Sequence, residues 1–287
     1  MHTTPGSMDF GFLVYLADTG ATDIHPLGRV ATRALIAQLD LHPHQRVLEV
    51  GCGTGGTLAL LAQSNLARID GVDAIPAMLH IARRRIRLAG HANRSALLLV
   101  EPGGRLPFPA SSYDRVYTES VLGFQDELGA QALLTQIFRV LRRGGKYVAN
   151  EAIWRAGVPS ERIAAINAAC LADFGVRMAS AGPWTLDDWL GVMEQAGFRA
   201  ISANLVQEHL ATTQAESTQL TPRTIATAAL TSFYRLRSHF LPAARRARSR
   251  YRILNQQHRD DGLYIEPRLF VLEKPFSDNP RHELRPL

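Results

Sequence analysis

Residues 47–56 read Val47-Leu48-Glu49-Val50-Gly51-Cys52-Gly53-Thr54-Gly55-Gly56: a strand of buried type that runs straight into a glycine-rich turn. A helical pattern from Thr57 to Ser64 follows. Glycines at such a junction allow positive φ and let a ligand lie against bare backbone, and the N-terminus of the next helix favours an anionic group. Gly51, Gly53 and Gly56 satisfy the dinucleotide pattern G-x-G-x-x-G, and Asp73 lies 22 residues past Gly51, where a carboxylate can hold a ribose. The loop by itself leaves the nucleotide open. Glu49 narrows the choice, because a nicotinamide-binding strand is normally apolar at that point. A carboxylate there suits a cationic amine such as the α-amino group of a methionine moiety.

Outward from this loop the chain alternates short strand-like runs with longer helical patterns, as a parallel α/β sheet requires. A helix over Arg29–Leu41 precedes strand Arg46–Val50, and strand Arg68–Asp73 leads into helix Pro76–Leu88. Further strands are expected at Leu97–Glu101, Tyr113–Thr118, Lys146–Glu151, Arg199–Leu205 and Arg268–Glu273. Leu134, Ile137, Phe138 and Leu141 mark a helix ending at Gly144-Gly145, and Thr185–Ala196 marks another. Residues 152–183 are expected to form a helical insertion. Between the last two strands, Thr221-Pro222 opens a helix with Ile225, Ala229, Phe233, Leu236 and Phe240 on one face, and Pro242 separates it from a second, arginine-rich helix. The expected fold is an α/β, Rossmann-like, doubly wound seven-stranded sheet with an antiparallel last strand and helical lid insertions. Residues 1–28 would form an N-terminal lid, 29–206 with 263–276 the core, and 207–262 the cap.

Four motifs in order resemble the class I S-adenosylmethionine-dependent methyltransferases of small-molecule type. Val47 to Gly55 resembles that family's [V/I]-L-[D/E]-x-G-C-G-T-G signature, and Gly71-Val72-Asp73 its second acidic motif. Leu106-Pro107-Phe108-Pro109 through Tyr113-Asp114-Arg115-Val116 resembles its L-P-F run, and Arg139-Val140-Leu141-Arg142-Arg143-Gly144-Gly145 its R-V-L turn. Ala196-Gly197-Phe198 matches the A-G-F that precedes the sixth strand. The resemblance implies S-adenosyl-L-methionine as cofactor, held by Glu49, Gly51, Cys52, Gly53, Gly55, Asp73, Ala74 and Ile75, with Glu101, Pro102 and Glu119 completing the site. Where the family usually has G-D-A before L-P-F, this chain has Glu101-Pro102-Gly103, so the carboxylate stands one position early.

The 32 basic residues exceed the 26 acidic ones by six, and all but Lys146 and Lys274 are arginines. Nine arginines and no acid lie between Ser217 and Arg259, so the rest of the chain is slightly acidic. That segment has three readings: a solvated helix surface, an electropositive wall for an anionic substrate, or contact with RNA or a membrane surface. Two cysteines, Cys52 and Cys170, are too few for a disulfide scaffold or a thiolate zinc site, so no metal is expected. No apolar run approaches the length of a membrane span, which leads to the expectation of a soluble, cytoplasmic protein.

Methyl transfer from a sulfonium is an in-line displacement, so the protein chiefly positions the reactants and excludes water. Signatures of amino-directed nucleic-acid enzymes are missing after the fourth strand, where Thr118-Glu119-Ser120 stands. Glu119, His25 and Glu151 are the candidate bases, each with a plain structural alternative as a cap, a turn residue or an ion-pair partner. The function expected is methyl transfer to an O, N or C atom of a small-molecule acceptor, anionic or aromatic, by a protein that can pair as a homodimer. An RNA methyltransferase and a catalytically inactive cofactor-binding protein are the alternatives.

Overall fold

The computed structural model describes residues 10–64, 66–210 and 221–276. Strands β1 (Arg46–Val50), β2 (Arg68–Asp73), β3 (Leu97–Leu99), β4 (Tyr113–Glu119), β5 (Leu141–Trp154), β6 (Arg199–Leu205) and β7 (Ile265–Glu273) form one sheet in the order β3-β2-β1-β4-β5-β7-β6. β1 to β5 pair in parallel, and β7 runs antiparallel to both β5 and β6. The strand order turns back between β1 and β4, where an open α/β sheet leaves a crevice beyond the carboxyl ends of its strands.

Successive side chains of a strand face opposite ways, so each central strand feeds two cores. Val47 packs on one face with Leu35 of α2 (Gly28–Leu39), Leu58 of α3 (Gly56–Leu61) and Ile86 of α4 (Pro76–Leu88). Leu48 packs on the other with Leu134 of α5 (Glu127–Val140) and Trp189 of α7 (Leu186–Gln195). Several motif residues beyond the loop are scaffold. Arg139 donates to the carbonyls of Leu106 at 2.8 Å and Phe108 at 2.7 Å, tying α5 to the L-P-F run. Gly197 has φ +101°, and a Cβ there would stand 2.8 Å from the Phe138 ring, so the A-G-F turn is closed by packing.

Several boundaries differ from those expected. β5 continues through Ala152, Ile153 and Trp154, paired with Pro267, Glu266 and Ile265, so the helical insertion starts only with α6 (Ser160–Phe174). β7 accordingly begins at Ile265. β3 stops at Leu99, which leaves Glu101 in the following loop, and α5 ends at Val140, whose successor Leu141 is already extended.

The remaining helices lie over the carboxyl edge or beside the sheet. α1 (Gly11–Asp18), α9 (Pro222–Phe240) and α10 (Pro242–Gln257) contact one another, and α9 and α1 also contact α4. Phe12 of α1 packs with Phe174 of α6 and Tyr251 of α10, ring centroids 5.0 and 4.9 Å away. α8 (Val206–Leu210) packs against α2 instead, through Val206.

Candidate active site

The turn after β1 is held by the neighbouring strand, since the amides of Gly51 and Cys52 both donate to the Val72 carbonyl, at 2.8 and 2.9 Å. Gly51 has φ +78°, and a Cβ there would strike Val121, so the first glycine is needed for both conformation and space. Gly53 has φ +51°, and a Cβ there would meet nothing within 4 Å, because its open side faces the main cavity. That cavity holds about 1390 Å³ of empty space, its mouth included.

Two buried carboxylates face this cavity. Asp73 accepts from the Gly53 amide at 2.7 Å on one oxygen and from the Ile75 amide at 2.8 Å on the other, which leaves lone pairs for a pair of hydroxyls. Burial raises its pKa against the pull of those amides. Glu49 accepts from the Tyr117 hydroxyl at 3.0 Å, and burial, reinforced by the charge of Glu119, pushes its pKa well above the ordinary carboxylate range. No cation among the described residues offsets Glu49. A buried, cavity-facing carboxylate in that state is costly unless a cation arrives from outside the chain. Bare-backbone glycine, a diol-sized carboxylate and an uncompensated carboxylate together fit a nucleoside that carries an ammonium.

The other expected contacts are arranged around the same space. Ala74, Ile75, Glu101 and Pro102 line it, with Glu101 and Pro102 exposed at its rim. Cys52 is buried among Gly71 and Leu58, and burial raises its pKa well above the usual thiol value, so the thiol is neutral and packs as an apolar group.

Glu119 and His25 meet. His25 Nε2 lies 2.9 Å from Glu119 Oε2, while the hydroxyls of Thr32 and Thr57 donate to the same carboxylate at 2.8 and 2.7 Å. Burial opposes both charges. The contact with His25 nonetheless lowers the Glu119 pKa, and the contact with Glu119 raises that of His25. The result is a buried ion pair that fastens the loop after α1 to β4, α2 and α3.

Glu151 sits elsewhere. Its Oε1 accepts from the Thr118 hydroxyl and the amides of Val121 and Leu122, and its Oε2 from the Gly123 amide alone at 3.2 Å. Burial raises its pKa despite those donors. It lines a second cavity of about 860 Å³ that shares Phe12, Ile24, Ser120, Phe124 and Val176 with the first. Phe174, Met178 and Ile265 add apolar wall to this compartment. Arg177 also lines it, donating to the Phe124 carbonyl at 3.1 Å.

One organising residue escapes a reading of the sequence. Arg85, 2% exposed, donates to the carbonyl and hydroxyl of Thr54, to the Gly20 carbonyl at 3.3 Å and to the Thr231 hydroxyl at 2.9 Å. Burial lowers its pKa to about 10, which still leaves it charged. A single guanidinium thus joins the glycine loop, the N-terminal segment and α9. The available signal was its place on the apolar stripe of α4 with Met78, Ile81 and Ala82.

Comparison with known proteins agrees with this geometry. A family model described as a methyltransferase domain matches residues 47–145, which cover the glycine loop, Asp73 and the R-V-L turn. The methyltransferase GfsG of Streptomyces halstedii is 27% identical over 191 residues, spanning 65% of this chain and 66% of GfsG, so the chain spans just under two thirds of that relative. Among solved structures, the [4+2]-cyclase SpnF superposes with a TM-score of 0.64 at 19% identity, covering 92% of each chain. The geranyl diphosphate C-methyltransferase of Streptomyces coelicolor A3(2) gives 0.56 at 18% identity, over 85% of this chain and 78% of its own. At those identities the likeness establishes the shared fold. The loop, the buried Asp73 and the family model agree: residues 47–145 carry a methyltransferase domain, and the chain is similar to the class I S-adenosylmethionine-dependent methyltransferases.

Proposed function

We propose that this protein transfers the methyl group of S-adenosylmethionine to an apolar small molecule that carries an anionic group, bound in the compartment walled by Phe12, Phe124, Phe174, Met178 and Arg177. The observation that carries this reading is the adjoining pair of cavities, one with the uncompensated Glu49 and the other with an aromatic wall and a guanidinium. The bound cofactor supplies the electrophilic methyl carbon. The chain supplies position: Glu49 takes the ammonium, Asp73 the ribose hydroxyls, and the glycine turn admits the nucleoside to bare backbone. The geranyl diphosphate C-methyltransferase, named for a substrate that is an apolar anion, offers a precedent for such an acceptor on this fold.

Of the three candidate bases, Glu119 and His25 neutralise each other on the cofactor side, and we assign them to holding the N-terminal segment closed. Glu151 alone of the three lines the acceptor compartment, with a raised pKa and one lightly used oxygen. It is our choice to take a proton where the acceptor atom is oxygen or nitrogen. Cys52 and Cys170 are buried and unpaired, which supports a reducing, cytoplasmic setting. No helix among the described residues is long and apolar enough to cross a membrane.

The test is a panel of aromatic and isoprenoid acids and phosphates with their neutral counterparts, read by release of S-adenosylhomocysteine. Turnover confined to the anionic members, with KM raised about tenfold or more by Arg177→Gln, supports the assignment. Turnover on bulk RNA would replace it with the RNA-methylating alternative, and cofactor binding without turnover across the panel with the inactive one.

A further inference from the structure

The apolar residues that the sequence places on one face of α9 face solvent. Ile225 is 56% exposed, Phe233 55%, Leu236 60% and Phe240 73%. At about 100° per residue these four fall within an arc of about 80°, and along the axis they span roughly 22 Å. The residues that dock α9 to the body, Tyr234 and Ser238, lie on the opposite side of the helix. This stripe is therefore not a strip of core that happens to be partly open.

Its borders carry arginines. Arg237 flanks the stripe on one side and Arg235 on the other, both exposed. α10 continues the pattern next to it: Ala244 and Tyr251 are its buried residues, while Arg245, Arg246, Arg250 and Arg252 are exposed around an Ile253 that is 53% exposed. None of these arginines of α10 lines the acceptor compartment, which α10 meets through Asn255, with His258 just beyond it. That removes the reading of this segment as an electropositive wall of the pocket. No acid between Ser217 and Arg259 tempers the surface. A second copy of the chain would bring the same cations against it, so like charges oppose self-association there. A row of large apolar side chains between arginines matches a layer with anionic headgroups over hydrocarbon.

We propose that the outer face of α9 and α10 is a membrane-docking surface, which binds bilayers containing anionic phospholipid with Phe233, Leu236 and Phe240 inserted at the headgroup boundary and the arginines against the phosphates. This rests on the surface alone and is independent of which acceptor the site takes.

The test is co-sedimentation of the full chain with vesicles of phosphatidylcholine alone and of phosphatidylcholine with about one quarter phosphatidylglycerol. The anionic vesicles should retain at least about tenfold more protein than the neutral ones, with the excess falling steeply between about 0.1 and 0.5 M salt. The double variant Leu236→Glu, Phe240→Glu should lose the binding while its affinity for S-adenosylhomocysteine stays unchanged, because neither residue lines the cofactor cavity. Arg245→Glu with Arg246→Glu should lose it as well. Equal retention on both vesicle types, or no retention on either, overturns the proposal. So does a dimer in light scattering that Leu236→Glu, Phe240→Glu converts to monomer, or a salt-sensitive affinity for RNA that exceeds that for the vesicles.

Discussion

Replacing Glu49 by Gln should move cofactor affinity and protein stability in opposite directions. The side chain keeps its volume and its ability to accept from the Tyr117 hydroxyl, but it loses the charge that faces the cavity. A hydrogen bond to a charged group is worth about 1.5–3 kcal/mol, so S-adenosylhomocysteine, which retains the ammonium, should bind about 10- to 150-fold more weakly. Stability without ligand goes the other way. Burial raises the Glu49 pKa well above 4.5, so its contribution is fully present below 4.5 and is lost as pH rises through the higher folded value. At neutral pH the raised pKa therefore counts against the folded free protein, and Gln, which does not titrate, removes that cost. Calorimetric titration gives the affinity and thermal unfolding of the free protein gives the stability. Proton release on binding, measured in buffers of different ionisation enthalpy, should occur in the wild type and vanish in the variant. A variant that binds as tightly as the wild type, or that melts lower than it, would refute the assignment of Glu49 to the ammonium.

Gly53→Arg should abolish cofactor binding by filling the open side of the turn, whereas Gly53→Ala should retain binding at a stability cost of about 1–2 kcal/mol from its φ of +51°; calorimetry and melting separate the two effects. Arg85→Leu leaves Thr54, Gly20 and Thr231 without their shared donor, and a loss of about 2–3 kcal/mol in denaturant unfolding is expected, with cofactor affinity falling alongside. The ion pair of His25 and Glu119 should support stability only between two limits. The raised His25 pKa means its share is lost as pH climbs above that value, and the lowered Glu119 pKa means its share is lost as pH falls through it. His25→Gln should flatten the alkaline limb of the melting profile, and an unchanged limb would show that the pair is not charged. Glu151→Gln should reduce kcat on an oxygen or nitrogen acceptor by about 100-fold or more and remove the acid limb of the rate profile, while KM for the cofactor stays within about twofold.

The glycine loop and Asp73 were legible because the chemistry of a nucleotide turn is local: the strand, the glycines and the carboxylate lie within one β-α-β stretch. The sheet was legible for the same reason, since period-2 and helical patterns alternate with clear turn residues between them. Three features could not be read so directly. His25 and Glu119 belong together only because β4 ends beside the loop after α1, a proximity that no sequence spacing records. Arg85 looks like a solvated helix arginine until the two segments that cover it are in place. The stripe on α9 is legible as one apolar helix face, but apolar periodicity says nothing about which way that face is turned.

Arg85 has a consequence for how the molecule is made. The glycine loop leaves the ribosome early, but one of the groups that fix the guanidinium behind it is the Thr231 hydroxyl, some 177 residues further along. The cofactor turn therefore cannot reach its final rigidity during synthesis of the sheet's first strands. It must wait until α9 has emerged and folded back. A nascent chain halted after β6 would carry the glycine loop and Asp73 and still lack the α9 hydroxyl that fixes the guanidinium behind that turn.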